Sequence, residues 1–342
     1  MKIDRITLRN FRNFSGPALV INWEPGINLI LGKNGAGKTN LLEALSIITG
    51  WGVITGGKTS GVVSWDSPNH RAQLSAEISG NETFTVDAEI SGRISLRLNG
   101  KSVSFTDLRL SVPSVIFLTG NLSLIDGSPS SRRLFVDRLC ALFVPPFAKR
   151  LADFRTVLRS RISLMRQGKS PAPTDIPFFR LGGWIMDIRR GVLAEMAKII
   201  PPGKFSLSFV PAMNAPGEVY LREMTAKTSA RETYAQHPLY GPNYDDISIT
   251  VTETGRPAAT SLSRGQKRRL ILHMILTAGR LISQRLGREP ILLLDDLTAE
   301  LDSDGRQWIL RELSATGWQC FITAPEKPFV TRKKLGVLYL PG

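Results

Sequence analysis

The octapeptide Gly32-Lys33-Asn34-Gly35-Ala36-Gly37-Lys38-Thr39 constrains the fold of this chain more than any other segment. It follows the apolar run Gly26-Ile27-Asn28-Leu29-Ile30-Leu31, which reads as a buried strand, and it opens a helical pattern over 39–48. A strand, a glycine-rich turn and a helix in that order aim successive backbone N–H groups into one concavity, and the aligned peptide dipoles of the helix add partial positive charge there. Glycine lets the backbone come close to an anion without a Cβ in the way. The pattern G-x-x-x-x-G-K-T is that of a loop cradling nucleotide phosphates. Lys38 then reaches the β- and γ-phosphates, and Thr39 offers a hydroxyl to Mg²⁺. All eight residues are assigned to ATP binding, with ATP and Mg²⁺ as the implied ligands.

Far along the chain, Ile291-Leu292-Leu293-Leu294 is a second apolar strand, ending in Asp295 and Asp296. A buried strand that delivers a carboxylate to Mg²⁺ is the Walker B arrangement, and it assigns Asp295 to the metal. Asp296 is the candidate general base, or water-orienting group, for hydrolysis, with Lys38 as the other catalytic residue. Upstream of this strand, Leu262-Ser263-Arg264-Gly265-Gln266 opens a further helix and reads as an ABC-type signature. Such a segment serves the ATP site of a second copy. Ser263, Arg264, Gly265 and Gln266 are therefore expected to act in trans, backed by the helix dipole. Taken alone, Ser263 reads equally well as a helix N-cap; its spacing to Asp295 favours the signature. Ala299-Glu300-Leu301-Asp302 suggests a D-loop at the dimer interface, carried by Glu300 and Asp302, with a helix cap at Asp302 or Ser303 as the alternative.

Between these motifs the pattern changes twice. Residues 71–105 alternate apolar and polar, with turn signals at Gly80-Asn81, Ser91-Gly92 and Asn99-Gly100, and predict an antiparallel meander. From 130 to 200 the pattern is helical: Leu151, Phe154, Leu158, Ile162 and Met165 form one stripe. Short strands are expected at 204–210 and 246–251, and 214–243 carries no assignable pattern. The expected fold is α/β: an ABC-type P-loop ATPase head with an antiparallel β-subdomain and an inserted, mainly helical second lobe. The expected divisions are 1–125 (P-loop and meander), 126–243 (helical arm) and 244–342 (signature, Walker B and D-loop).

The chain has 44 Lys and Arg against 29 Asp and Glu, a net charge of +15 that draws polyanions. Arg155, Arg159 and Arg166 fall on one flank of the helical stripe, with Arg132 and Arg133 nearby in sequence. Such a row can hold DNA phosphates without reading bases, and a solvated helix face is the plain alternative. No run of eighteen apolar residues exists, so no membrane span is expected, and the chain reads as cytoplasmic and nucleoid-associated. Cys140 and Cys320 read as two buried thiols.

Several segments together resemble the RecF family of DNA recombination and repair ATPases in the ABC/SMC group. They are Leu8-Arg9-Asn10-Phe11-Arg12-Asn13, Asn34 through Ala44, Gly127-Ser128-Pro129 with Arg132-Arg133, and Phe135-Val136-Asp137. Tyr240-Gly241-Pro242 with Asp245-Asp246, and the two C-terminal motifs, complete the set in the family's order. The resemblance implies ATP-driven homodimerisation, slow hydrolysis and binding to double-stranded or gapped DNA. It further implies RecR- and RecO-type mediator partners, with RecA loading, and places Arg12 and Asn13 near the nucleotide. There are two departures from the family pattern, and the first of them suggests a divergent member. No Gln lies between Gln73 and Gln167, so a Q-loop glutamine is missing there, with Asn121 as a substitute. The strand over 319–322 ends in Thr323 and not in a switch histidine. The alternative function is the head ATPase of another ABC/SMC-type genome-maintenance or defence system that acts through a protein partner.

Overall fold

Strands buried on both faces must be apolar almost throughout, whereas strands with one wet face alternate. The chain contains both kinds, in separate sheets. The computed structural model describes residues 1–56, 59–118, 123–201, 203–298, 301–325 and 335–340. It divides into two units, Met1–Asn121 with Arg264–Gly342, and Leu122–Ser263.

In the first unit the alternating strands are β1 (Lys2–Arg9), β2 (Leu19–Asn22), β4 (Ala72–Ser79), β5 (Phe84–Ile90), β6 (Ile94–Leu98) and β7 (Lys101–Val103). They form one antiparallel sheet in the order β2-β1-β4-β5-β6-β7. Ala72, Leu74, Ala76 and Ile78 of β4 point to the core. The predicted Asn-Gly turn joins β6 to β7, with Asn99 and Gly100 both at positive φ (48° and 76°), as a two-residue hairpin loop requires. The apolar strands β3 (Ile27–Leu31), β8 (Ser114–Phe117), β11 (Ile291–Leu294), β12 (Cys320–Ala324) and β13 (Gly336–Tyr339) form a parallel sheet in the order β13-β3-β12-β11-β8. Helix α1 (Lys38–Ile48) contacts both sheets and is buried from Leu41 to Ile48. Buried Gln319 ties the layers further: its Oε1 accepts from Ile3 N at 2.7 Å, and its Nε2 donates to Ile3 O and Glu24 O. Helices α2 (Phe105–Ser111), α9 (Arg264–Leu286) and α10 (Ser303–Thr316) complete this unit.

The second unit holds α3 (Ser123–Asp126), α4 (Pro129–Phe143), α5 (Phe147–Arg166), α6 (Asp175–Ile199), α7 (Gly217–Ala235) and α8 (Ala258–Ser261). It also holds a two-stranded antiparallel sheet of β9 (Phe205–Val210) and β10 (Asp246–Val251). That pairing moves a boundary: the expected division at 243 would separate β10 from β9, and the unit instead runs on to Ser263. Helices α6 and α7 cross where two glycines meet: a Cβ on Gly183 would lie 2.1 Å from Glu218 N, and one on Gly217 would lie 2.3 Å from Gly183 O. Cys140 and Cys320 are both buried, one in each unit. Among the described residues, no helix is long and apolar enough to cross a membrane.

Candidate active site

In a parallel sheet, ligands gather beyond the carboxyl ends of the strands. β12 lies between β3 and β11, so the P-loop, the end of β12 and the Walker B aspartates emerge side by side. A cavity of about 450 Å³ opens there, lined by residues that include Lys38, Thr39, Asn40, Asp295 and Asp296, with the fully buried Thr323 hydrogen-bonded behind the two aspartates. Gly35 and Gly37 take φ of +87° and +96°, which L side chains rarely adopt. Gly37 has a second reason to be glycine, since a Cβ there would lie 2.5 Å from Asn13 Nδ2.

Lys38 Nζ donates to Gly32 O at 2.6 Å and to Lys33 O at 2.9 Å, which holds its charge over the loop. Thr39 Oγ1 donates toward both oxygens of Asp295, each at 3.2 Å. Asp295 is buried at 6 % exposure, and Asp296 is half-buried beside it. One carboxylate and one hydroxyl at the foot of a phosphate-binding loop suit Mg²⁺, which keeps several waters and takes its remaining ligands from substrate phosphates. The site therefore fits both implied ligands.

Asp296 takes φ of +53°, in the left-handed region. Its peptide is held on both sides. Its N–H donates to Thr323 Oγ1 at 2.9 Å, and the buried Arg268 of α9 donates to Asp296 O at 3.4 Å and to Leu297 O at 3.2 Å. Sequence reasoning noted Thr323 only as a missing histidine and overlooked Arg268 altogether. The available signal for Thr323 was one hydroxyl near the end of an otherwise apolar strand.

The structure separates the two residues expected near the nucleotide. Asn13 reaches the loop: Asn40 Nδ2 donates to its Oδ1 at 2.8 Å, and its own Nδ2 donates to Ala36 O at 3.3 Å. Arg12 instead faces Glu43 on α1, at 2.7 Å, and also donates to Thr55 Oγ1 and Gly61 O. Glu43 is fully buried and additionally accepts from Ile54 N and from Thr55 N and Oγ1. Arg12 thus braces the segment after α1 and does not line the cavity.

In the signature, Ser263, Arg264 and Gln266 are exposed at the start of α9, and Gly265 is partly exposed. Asp302 caps α10, accepting from Gly305 N at 2.7 Å. Glu300 and Asn121 lie outside the described residues. Of the arginines considered for DNA, Arg132 is bound bidentately by Asp246, at 2.6 and 2.9 Å, and Arg133 donates to Asp245 O at 2.7 Å. Both are built into the second unit, which argues against a role in holding phosphates. Arg155, Arg159 and Arg166 are exposed on α5.

The fold and this site define an ABC-type P-loop ATPase head, and the comparisons agree. The profile of the RecF/RecN/SMC N-terminal domain matches residues 2–337, and the chain belongs to that family. Within it the chain has a RecF-type head. It is 29 % identical over 360 residues to the DNA replication and repair protein RecF of Heliobacterium modesticaldum, covering 98 % of this chain and 95 % of that one. Against RecF of Myxococcus xanthus the identity is 27 %, over 96 % of this chain and 92 % of the relative. The solved structure of the recombination mediator protein RecF-ATPrS in the RecFOR pathway superposes with a TM-score of 0.84 at 23 % identity, covering 99 % of this chain and 96 % of that one.

Proposed function

We propose that this chain is an ATP-switched DNA-binding protein of recombinational repair and replication-fork maintenance. The observation that carries this reading is the assembled cavity, where Lys38, Thr39, Asp295 and Asp296 converge while the signature residues at the head of α9 stay exposed. Lys38 and the backbone N–H groups of residues 35–39 bind the β- and γ-phosphates. Thr39 and Asp295 hold Mg²⁺, which when bound neutralises charge on the phosphate oxygens. Asp296 orients the attacking water and accepts its proton. Ser263 and the Gly265 N–H of a second copy close the site over the γ-phosphate, so that ATP joins two chains and hydrolysis releases them. The exposed arginines of α5 supply contacts to double-stranded or gapped DNA. RecO- and RecR-type mediators, and through them RecA loading, are the partners that fit, because the similar proteins act in the RecFOR pathway.

The test is size-exclusion chromatography with light scattering in ATP, in ADP and without nucleotide, at micromolar protein. A dimer in ATP alone is expected; a monomer in all three refutes the switch. Duplex DNA binding should need ATP and fall steeply with salt, because phosphate contacts release counterions. Affinity that ignores both removes the DNA part, and a co-purifying protein partner without DNA binding supports the alternative head-ATPase function.

A further inference from the structure

The sequence of β12, Cys320-Phe321-Ile322-Thr323-Ala324, carries one hydroxyl among apolar side chains, and Thr323 is fully buried. A buried hydroxyl is costly unless its hydrogen bonds are made. Here both of its bonds go to the Walker B pair. Thr323 Oγ1 donates to Asp295 Oδ1 at 2.6 Å and accepts the Asp296 N–H at 2.9 Å. A hydroxyl has one proton to give, so the carboxylate takes the donor and the next peptide takes a lone pair. The first bond fixes how the carboxylate of Asp295 is turned relative to Thr39, which shares the same Oδ1. The second holds the peptide of Asp296 where its backbone is left-handed, a conformation that a residue other than glycine keeps only when its surroundings enforce it. Thr323 is 0 % exposed, so it acts through these neighbours and not on a bound molecule.

We propose that Thr323 is the positioning residue of the hydrolytic centre. It sets the metal-binding orientation of Asp295 and the backbone turn that aims Asp296 into the cavity, in a chain whose strand carries no histidine at this place. The proposal rests on the reading of the cavity as a Mg–ATP site. Partners that orient a metal ligand typically change metal affinity by about 10- to 100-fold when removed.

Thr323→Val keeps the shape and β-branching and removes only the hydroxyl; Thr323→Ser restores the hydroxyl. In the full-length chain, affinity for a fluorescent, slowly hydrolysed ATP analogue is measured with and without Mg²⁺. The wild type should gain affinity from Mg²⁺. Thr323→Val should lose that gain by about tenfold or more, keep its metal-free affinity, and lose kcat with little change in KM at saturating Mg²⁺. Thr323→Ser should restore both. A Val variant with the full Mg²⁺ gain and wild-type kcat overturns the proposal, and so does equal loss of metal-free binding in both variants, which assigns Thr323 to packing. No nucleotide binding by the wild type removes the Mg–ATP reading itself, and the proposal with it.

Discussion

Arg189→Met probes the charge cluster at the centre of the second unit. Arg189 is 3 % exposed on α6 and donates to Asp137 Oδ1 and Oδ2 at 2.8 and 3.0 Å, to Asp245 Oδ2 at 2.8 Å and to Pro242 O at 2.6 Å. Asp137 and Asp245 are 9 % and 1 % exposed. Methionine fills much of the space but leaves two buried carboxylates without their cation. Removing one member of a buried pair costs about 3–5 kcal/mol, and with two carboxylates left behind the upper part of that range is expected. Burial already pushes the Asp245 carboxyl up to about 7, against the pull of Arg189. An acid whose pKa is raised on folding binds its proton more tightly in the folded state. Its contribution favours the fold below the ordinary Asp value of 3.8 and is lost as pH rises towards 7. Without Arg189 that upward shift grows, so the deficit should be largest near pH 8 and should shrink towards pH 5. Hydrogen exchange of α6 peptides in the full-length chain, corrected for intrinsic rates, reads this directly. A loss of about 4 kcal/mol speeds exchange by roughly a thousandfold. Adding Asp137→Asn and Asp245→Asn should recover much of the protection. Wild-type protection at pH 8, or a deficit that grows on acidification, refutes the reasoning.

Gly183→Ala should destabilise the second unit by about 3 kcal/mol, because its Cβ meets backbone that has no rotamer to move. Gly191→Ala on the same helix meets nothing within 4 Å and should stabilise by about 0.5–1 kcal/mol; thermal melts of the pair decide. Ser263→Arg should leave ATP binding in each subunit intact while abolishing ATP-dependent dimerisation and hydrolysis, measured by analogue fluorescence, light scattering and phosphate release. Asp296→Asn should bind ATP, lower kcat by about 100-fold or more, and accumulate the ATP dimer on a sizing column.

Much of the first unit was legible because its sequence obeys simple periods. The largely apolar β3, the all-apolar β11 and the alternating β4 and β5 each read directly, and the Asn99-Gly100 turn fixed its hairpin. Helix α7 was not legible, for a specific reason. Its buried positions, Gly217, Leu221, Thr225, Thr228 and Glu232, are correctly spaced for one helix face, but only Leu221 among them carries a large apolar side chain. Their polar atoms are satisfied locally in part: Thr228 Oγ1 donates to Met224 O, and Glu232 Oε1 accepts from Leu239 N. The same limit hid Arg268 and Thr323. Motifs reveal groups that meet a ligand, whereas the groups that hold those groups are set by strand order, which brings β12 between β3 and β11 only in three dimensions.

Charge illustrates the difference between what a composition holds and what a surface offers. The surplus of fifteen positive charges suggested a polyanion partner, yet several arginines, among them Arg12 and Arg132 that the motifs singled out, are occupied within the fold. Arg12 is bound to Glu43, Arg132 to Asp246, and Arg189 to Asp137 and Asp245. Arg161 pairs with Asp175 under Phe178, and Arg109 donates to Gly50 O beside Trp51. A carboxylate that occupies an arginine inside the protein also cancels its field outside, so the pairs with Glu43, Asp246, Asp137, Asp245 and Asp175 do not attract DNA at a distance. Arg155, Arg159 and Arg166 are exposed along one helix, and on the proposed reading they hold the phosphates. On that reading, a row on a single helix contacts few phosphates in one copy, and two copies joined by ATP double that number. Because the logarithm of affinity scales with the number of phosphates neutralised, doubling the row raises DNA affinity far more than twofold. That is the physical reason a dimerisation switch in the head can act as a DNA-binding switch without any change in the DNA-contacting residues themselves.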